Sequence, residues 1–123
     1  MRYFTVEEAR AHLPRLRRLL SLLRRATDLT VTAHTNGHAA VRRAAMADDA
    51  PLALDPAQAL AEIEELGVIL RDPRRGLVDF PARHPSGRDV QLCWELGEDD
   101  LAWWHLPEDG FAGRRPLPLP DEL

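Results

Sequence analysis

The densest chemistry in this chain lies in one tripeptide, Trp103-Trp104-His105. A tryptophan offers a flat face to a planar ligand, and histidine is the side chain that exchanges a proton near neutral pH. Asp79 and Glu95 stand upstream in apolar stretches, so Asp79, Glu95 and His105 are candidates for a metal-ligand or acid–base set. Downstream, Gly110-Phe111-Ala112-Gly113-Arg114-Arg115 combines two glycines, which permit close backbone approach, with guanidiniums that grip phosphate or carboxylate bidentately. It lacks the lysine and spacing of a phosphate loop. Asp79, Trp103, His105 and Arg114 are therefore the candidate ligand-binding residues, opposed by a plainer expectation in which Phe111 anchors the tail and Arg114 pairs with an acid such as Asp79.

Whether these groups meet depends on strand register. Alternation places Trp103 and His105 on one sheet face and Trp104 on the other. Pairing Trp94 with Trp103 gives a core plate of two indoles against the helices, with His105 as a satisfied edge residue. If Val78 and Phe80 share that face with Leu92 and Trp94, then Asp79, Gln91, Cys93 and Glu95 gather on the opposite face and His105 points away from them. On that register no catalytic residue and no metal ligand set is assigned, and the cofactor is unknown. Cys93 reads as a buried structural thiol, having no neighbouring base to activate it. His34 and His38 have the four-residue spacing of a helical ligand pair, but Asn36-Gly37 between them makes them loop histidines.

A second constellation is electrostatic. Arg10, Arg15, Arg17, Arg18, Arg24 and Arg25 crowd one predicted helix. Of these, Arg10, Arg17, Arg18, Arg24 and Arg25 are the candidate nucleic-acid contacts, acting by phosphate neutralisation. Few aromatic or amide readers interleave them. The alternative pairs the helix with Glu62, Glu64 and Glu65 of a later helix, or with another subunit.

The elements that must position these groups are legible in outline. Thr5-Val6-Glu7-Glu8 is a capping box that opens a helix, and such a cap contributes about 1 kcal/mol. Val6, Ala9, Leu13, Leu16, Leu20 and Leu23 then fall at alternating steps of three and four, widened by Leu19 and Ala26. Pro14 interrupts the seam without shifting its phase, which predicts one kinked helix. Asp28 to Val41 is rich in threonine; we read the middle as a helical hairpin with a second helix over His38–Ala47, against a β-hairpin centred on Asn36-Gly37. Asp55-Pro56-Ala57-Gln58 opens a further helix from Pro56 to Leu66, closed by Gly67, with Ala59, Leu60, Ile63 and Leu66 inward. Beyond it the period changes. Val68-Ile69-Leu70 is a short apolar run, and Leu77 to Phe80, Asp89 to Glu95 and Leu101 to Leu106 read as strands of a three- to four-stranded antiparallel meander, followed by an extended proline-rich tail.

The predicted fold class is α+β, an N-terminal helical hairpin packed on a small antiparallel β-meander. It forms a single domain over 1–123, with 1–67 mainly helical, 68–106 the meander and 107–123 loop and tail. All 16 basic residues are arginine. Met1 to Ala47 holds nine of them against three acids, and the remainder holds seven against seventeen, which excludes a uniformly basic nucleic-acid coat. No apolar run approaches the ~18 residues of a membrane span. A lone cysteine excludes an internal disulfide, and no signal-peptide core precedes the first helix, so the expected compartment is the cytoplasm.

Several strings carry a family likeness: Tyr3-Phe4-Thr5-Val6-Glu7-Glu8-Ala9, Leu13-Pro14, Glu65-Leu66-Gly67-Val68, Asp72-Pro73, and Gly76-Leu77-Val78-Asp79-Phe80-Pro81-Ala82. Leu92-Cys93-Trp94, Leu96-Gly97-Glu98, Trp104-His105 and Gly110-Phe111-Ala112-Gly113-Arg114 extend it. Across about half its length the chain resembles the bacterial domain-of-unknown-function family 2203. The resemblance implies a helical hairpin followed by a small sheet and brings no activity. Family members carry a longer charged helical pair where this chain has a short threonine-rich middle.

The leading functional expectation is a non-enzymatic interaction or assembly module that self-associates through its helices, with a second copy as partner and no membrane. Two alternatives stand beside it: a small-ligand or metal-binding, enzyme-like site around Trp103, His105, Asp79 and Arg114, and nucleic-acid binding through the arginine-rich first helix.

Overall fold

A computed structural model describes residues 2–32 and 52–123. The expected hairpin turn at Asn36-Gly37, the helix over His38–Ala47, and His34 and His38 lie outside the described residues.

Helix α1 (Val6–Thr32) runs through Pro14 as one helix. Its start is the predicted capping box. The Glu8 amide donates to Thr5 Oγ1 over 3.0 Å, and the Thr5 amide donates to Glu8 Oε1 over 2.9 Å. The seam faces inward: Ala9, Leu13, Leu16, Leu19, Leu20 and Leu23 are all buried. Helix α2 (Pro56–Leu66) has the predicted bounds, with Asp55 and Gln58 capping reciprocally and Gly67 closing in the left-handed region at φ 87°. Ala59 and Ile63, one turn apart, are its buried positions. Leu60 is a correction: it lies on the flank and is 37% exposed.

The remainder is an antiparallel sheet in the order β1-β2-β3-β4-β5. Its strands are β1 (Ile69–Asp72), β2 (Leu77–Arg83), β3 (Asp89–Glu95), β4 (Trp103–His105) and β5 (Arg115–Pro116). The fold is thus α+β, two helices with a five-stranded sheet. The fifth strand was not expected; it arises where the tail returns and Arg115 pairs with Trp104. Two residues, one of them proline, carry no alternation from which a strand is read.

The inner sheet face completes the core. Val78, Phe80, Ala82, Val90, Leu92, Trp94 and Trp104 form one apolar cluster with the α1 seam, Ala59 and Ile63. Phe4 meets Phe80 edge-to-face at 5.4 Å, and its amide donates to the Pro81 carbonyl over 2.7 Å, tying the N-terminal segment to β2. At the other end of the chain the buried His84 ring bonds the Pro120 carbonyl through Nε2 at 2.6 Å.

The register overturns the expected indole plate. Leu92 stands opposite Trp104, and Cys93 opposite Trp103. Trp104, not Trp103, is therefore the partner of Trp94 in the core, and both are essentially sealed from solvent at 1% and 0% exposure. Trp103 lies on the outer face. A single-residue shift in β4 exchanges the faces of all its side chains.

Candidate functional site

The same shift turns His105 toward the carboxylate from which it was expected to diverge. Asp79 stands opposite Cys93 in the β2–β3 pair, and Cys93 opposite Trp103 in the β3–β4 pair. His105 is two residues beyond Trp103, opposite Gln91, on that same face. A diagonal reach across β3 then brings His105 Nε2 to 3.0 Å from Asp79 Oδ1, with both groups buried.

Arg71 completes the carboxylate's surroundings. In the β1–β2 pair Ile69 faces Asp79 and Leu70 faces Val78, but the next pairing is Asp72 with Leu77. Arg71 is thus the extra residue of a β-bulge, a device that re-aims a side chain. Its Nε donates to Asp79 Oδ2 over 2.8 Å and its Nη2 to Gln91 Oε1 over 3.1 Å. The hairpin behind it turns at Gly76, whose φ of 65° and contact with Leu96, 2.5 Å from where a Cβ would stand, admit only glycine.

The far side of His105 is also committed. Its Nδ1 lies 2.7 Å from the Leu106 carbonyl, which can only accept, so Nδ1 carries a proton. Cys93 lies between the pair's strands. One ligand-type atom from each of Asp79, Cys93 and His105 falls within 4.8 Å of the others.

The electrostatics follow from burial and pairing. Burial alone would raise the Asp79 carboxyl, but hydrogen bonds from His105 and Arg71 outweigh it and hold the group below its ordinary value. Burial would likewise depress His105, yet its bond to Asp79, the Leu106 carbonyl and the Asp79 charge raise it. The Cys93 thiol is pushed up to about 12, first by burial and then by the Asp79 charge. The resting cluster is therefore a carboxylate, a readily protonated imidazole and a neutral thiol.

A cavity of about 380 Å³ opens onto these groups, walled by Arg71 and Leu77 and roofed by residues 107–111. The roof is held from its far end. Arg114 grips Glu98 with Nη2 contacts of 2.8 and 2.7 Å, and its guanidinium stacks 4.9 Å from the Trp103 ring and 4.7 Å from the Phe111 ring. Arg75 covers Phe111 at 4.2 Å. So of the four candidate ligand-binding residues, Asp79 and His105 meet at the cavity floor, while Trp103 and Arg114 stand beside it as the stack that holds the roof. Arg114 pairs with an acid as expected, but that acid is Glu98 and not Asp79. One expectation is corrected here: Phe111 is 38% exposed and lies against two guanidiniums rather than anchored in the core. Glu95, opposite Leu77 at the strand's far end, pairs with Arg75 and stays apart from the cluster.

Residues 2–117 match the family described as an uncharacterized conserved protein, DUF2203. The chain belongs to that family. No curated protein and no solved structure matches it. Within this DUF2203 chain, sequence reasoning missed Arg71 and Cys93 as members of the cluster. Alternation places Cys93 on the face of Asp79, but only the β4 register joins it to His105. Arg71 had no signal, because a bulge is invisible in the apolar pattern.

The arginines of α1 divide among partners. Arg15 makes a two-pronged pair with Glu62 of α2 at 2.6 and 2.7 Å, as the pairing alternative expected. Arg10 donates to the Leu101 carbonyl and pairs with Asp100. Arg17 donates to the Asp99 carbonyl and lies over the Trp94 ring. Arg17 and Arg24 share a hollow with Glu98 and Asp99, so charge there is mixed. Among the described residues no helix is long and apolar enough to cross a membrane.

Proposed function

We propose that this DUF2203 protein is a small binding protein whose working site is the cavity above the Asp79–His105 pair. The observation that carries this reading is a buried, fully partnered carboxylate–imidazole pair at the floor of an open cavity, on the sheet face away from the core. Stability does not account for such a pair. Desolvation roughly cancels its attraction, and apolar replacements of similar volume are often neutral or stabilising by about 1–4 kcal/mol. Groups with shifted titration in a cleft are instead the usual mark of a binding or reacting site. Both His105 nitrogens are engaged by the protein, which favours holding a ligand over abstracting its proton.

The test is a thermal-shift screen of small carboxylates, phosphates and metal ions on wild type and His105→Gln. At least one compound should raise the wild-type Tm and lose that effect in the variant. A panel with no His105-dependent shift sinks the reading.

Self-association through the helices, within the expected N-terminal helical hairpin, ranks behind it. The α1 seam is spent inside the chain, and the large apolar side chains exposed among the described residues are Leu60 and Phe111. Light scattering at high micromolar concentration decides it: a strict monomer rules it out. Nucleic-acid binding by Arg10, Arg17, Arg18, Arg24 and Arg25 ranks lower still, because Arg10 and Arg17 already serve the β3–β4 loop. A salt-sensitive gel shift lost in Arg17→Glu/Arg18→Glu would reverse that order.

A further inference from the structure

Resting on that reading, we propose that the cavity floor is a site for one borderline-soft divalent d-block cation of the zinc class, ligated by His105 Nε2, Asp79 Oδ1 and Cys93 Sγ. Its fourth position faces the cavity.

The donor set selects the cation. One imidazole nitrogen, one thiolate and one carboxylate oxygen suit zinc or cobalt, whereas calcium and magnesium demand shells of oxygen. The atoms are already gathered within 4.8 Å, on three neighbouring strands rather than on loops. At ordinary zinc bond lengths a tetrahedral site separates its ligand atoms by roughly 3.3–3.8 Å. Side-chain rotations of about an ångström would close the difference, with no change of strand register.

Two outer contacts orient the donors. Metal-binding histidines donate their second ring N–H to a carbonyl or carboxylate, which fixes the tautomer and aims the free nitrogen. His105 does this through Nδ1 and the Leu106 carbonyl. Ligating carboxylates are in turn hydrogen-bonded on their other oxygen. Arg71 holds Asp79 Oδ2 and leaves Oδ1 facing His105. Nε2 and Oδ1 share a proton across a 3.0 Å hydrogen bond, and a metal ion would take that proton's place as the two atoms part to ligand spacing. On metal entry that proton and the Cys93 thiol proton leave to solvent. Arg71 sits on the outer oxygen, and thiolate plus carboxylate together balance a divalent charge. Three protein ligands with an open fourth position is the arrangement of a zinc site that takes up water or substrate. Glu108 and Asp109, in the roof, add oxygen donors to the cavity lining.

The experiment is cobalt titration of chelator-stripped, reduced, full-length protein, followed by zinc displacement. One equivalent of Co²⁺ should give visible bands of tetrahedral intensity and a sulfur-to-cobalt charge-transfer band, and Zn²⁺ should abolish both. Cys93→Ser should remove the charge-transfer band and weaken cobalt binding at least tenfold, and His105→Gln should weaken it comparably. A His34→Ala/His38→Ala control should bind as wild type. Absence of the thiolate band in wild type overturns the proposal whether or not any variant folds. So does cobalt binding that is lost in the His34/His38 control and unchanged in Cys93→Ser. If cobalt is silent while a small anion still stabilises the protein through His105, the cation is wrong and the binding cavity stands; if neither binds, both fall.

Discussion

The two faces of the β2–β3–β4 sheet use the same three strands to opposite ends. Inward, Phe80, Leu92, Trp94 and Trp104 meet the α1 seam by packing; the Trp94 indole N–H donates to the Glu98 carbonyl over 3.2 Å. Outward, one position along each strand, Asp79, Cys93 and His105 are just as thoroughly buried, yet bound by directional contacts to Arg71 and the Leu106 carbonyl. Burial by itself therefore distinguishes nothing here. The difference lies in what each face loses on substitution: the inner face holds its free energy in volume, the outer face in partnership.

That contrast sets the size of the expected effects. Trp104→Ala should be the most damaging, removing about 3–5 kcal/mol by denaturant titration. Trp103→Ala should cost no more than about 1.5 kcal/mol, since it gives up a cation–π contact at the edge of the outer face rather than core volume. If Trp103→Ala proves the costlier of the two, the β4 register is wrong. Asp79→Ala follows closely at about 3–5 kcal/mol, because it strands His105 and Arg71 without their carboxylate. The double change Asp79→Leu/His105→Leu should cost less than the single one; an additive loss would mean that the pair is there for stability after all.

The outer face should also confer a pH dependence that the inner face lacks. A lowered Asp79 stabilises the fold above its ordinary value of 3.8, and this is lost as pH falls through its folded value. A raised His105 stabilises below 6.5, and this is lost as pH climbs through its folded value. The difference in stability between wild type and the double leucine variant should thus crest between these two pH values and fall on either side. A flat difference rules out the charged pair. Smallest of all, Arg15→Gln should cost about 0.3–0.5 kcal/mol, since the Arg15–Glu62 pair is part-exposed and screened by water.

Much of this was readable from the chain. Both helix starts carry reciprocal caps whose residue types are unambiguous, and the α1 seam and the bounds of α2 follow from period and from Gly67. Leu60 was misplaced because an apolar residue beside a narrow two-position stripe looks the same in sequence whether it is covered or not. The candidate site was half legible. Asp79 and His105 are both singled out by residue type, but consecutive indoles at 103 and 104 satisfy either register equally, so the hydrophobic pattern there does not fix it. Structure broke the tie because Trp104 fills the space beside Trp94 and Leu92. The bulge at Arg71 and the two-residue β5 had no pattern to show.

The burial of Cys93 gives the molecule a reporter of its own. It is the only sulfhydryl in the chain, and a thiol with a value of about 12 is almost entirely un-ionised at neutral pH, so alkylating reagents find no nucleophile while the sheet is closed. The labelling rate then counts excursions in which β3 parts from its neighbours. Occupancy of the cavity should slow that clock, and its ticking can be read on unmodified protein by mass alone.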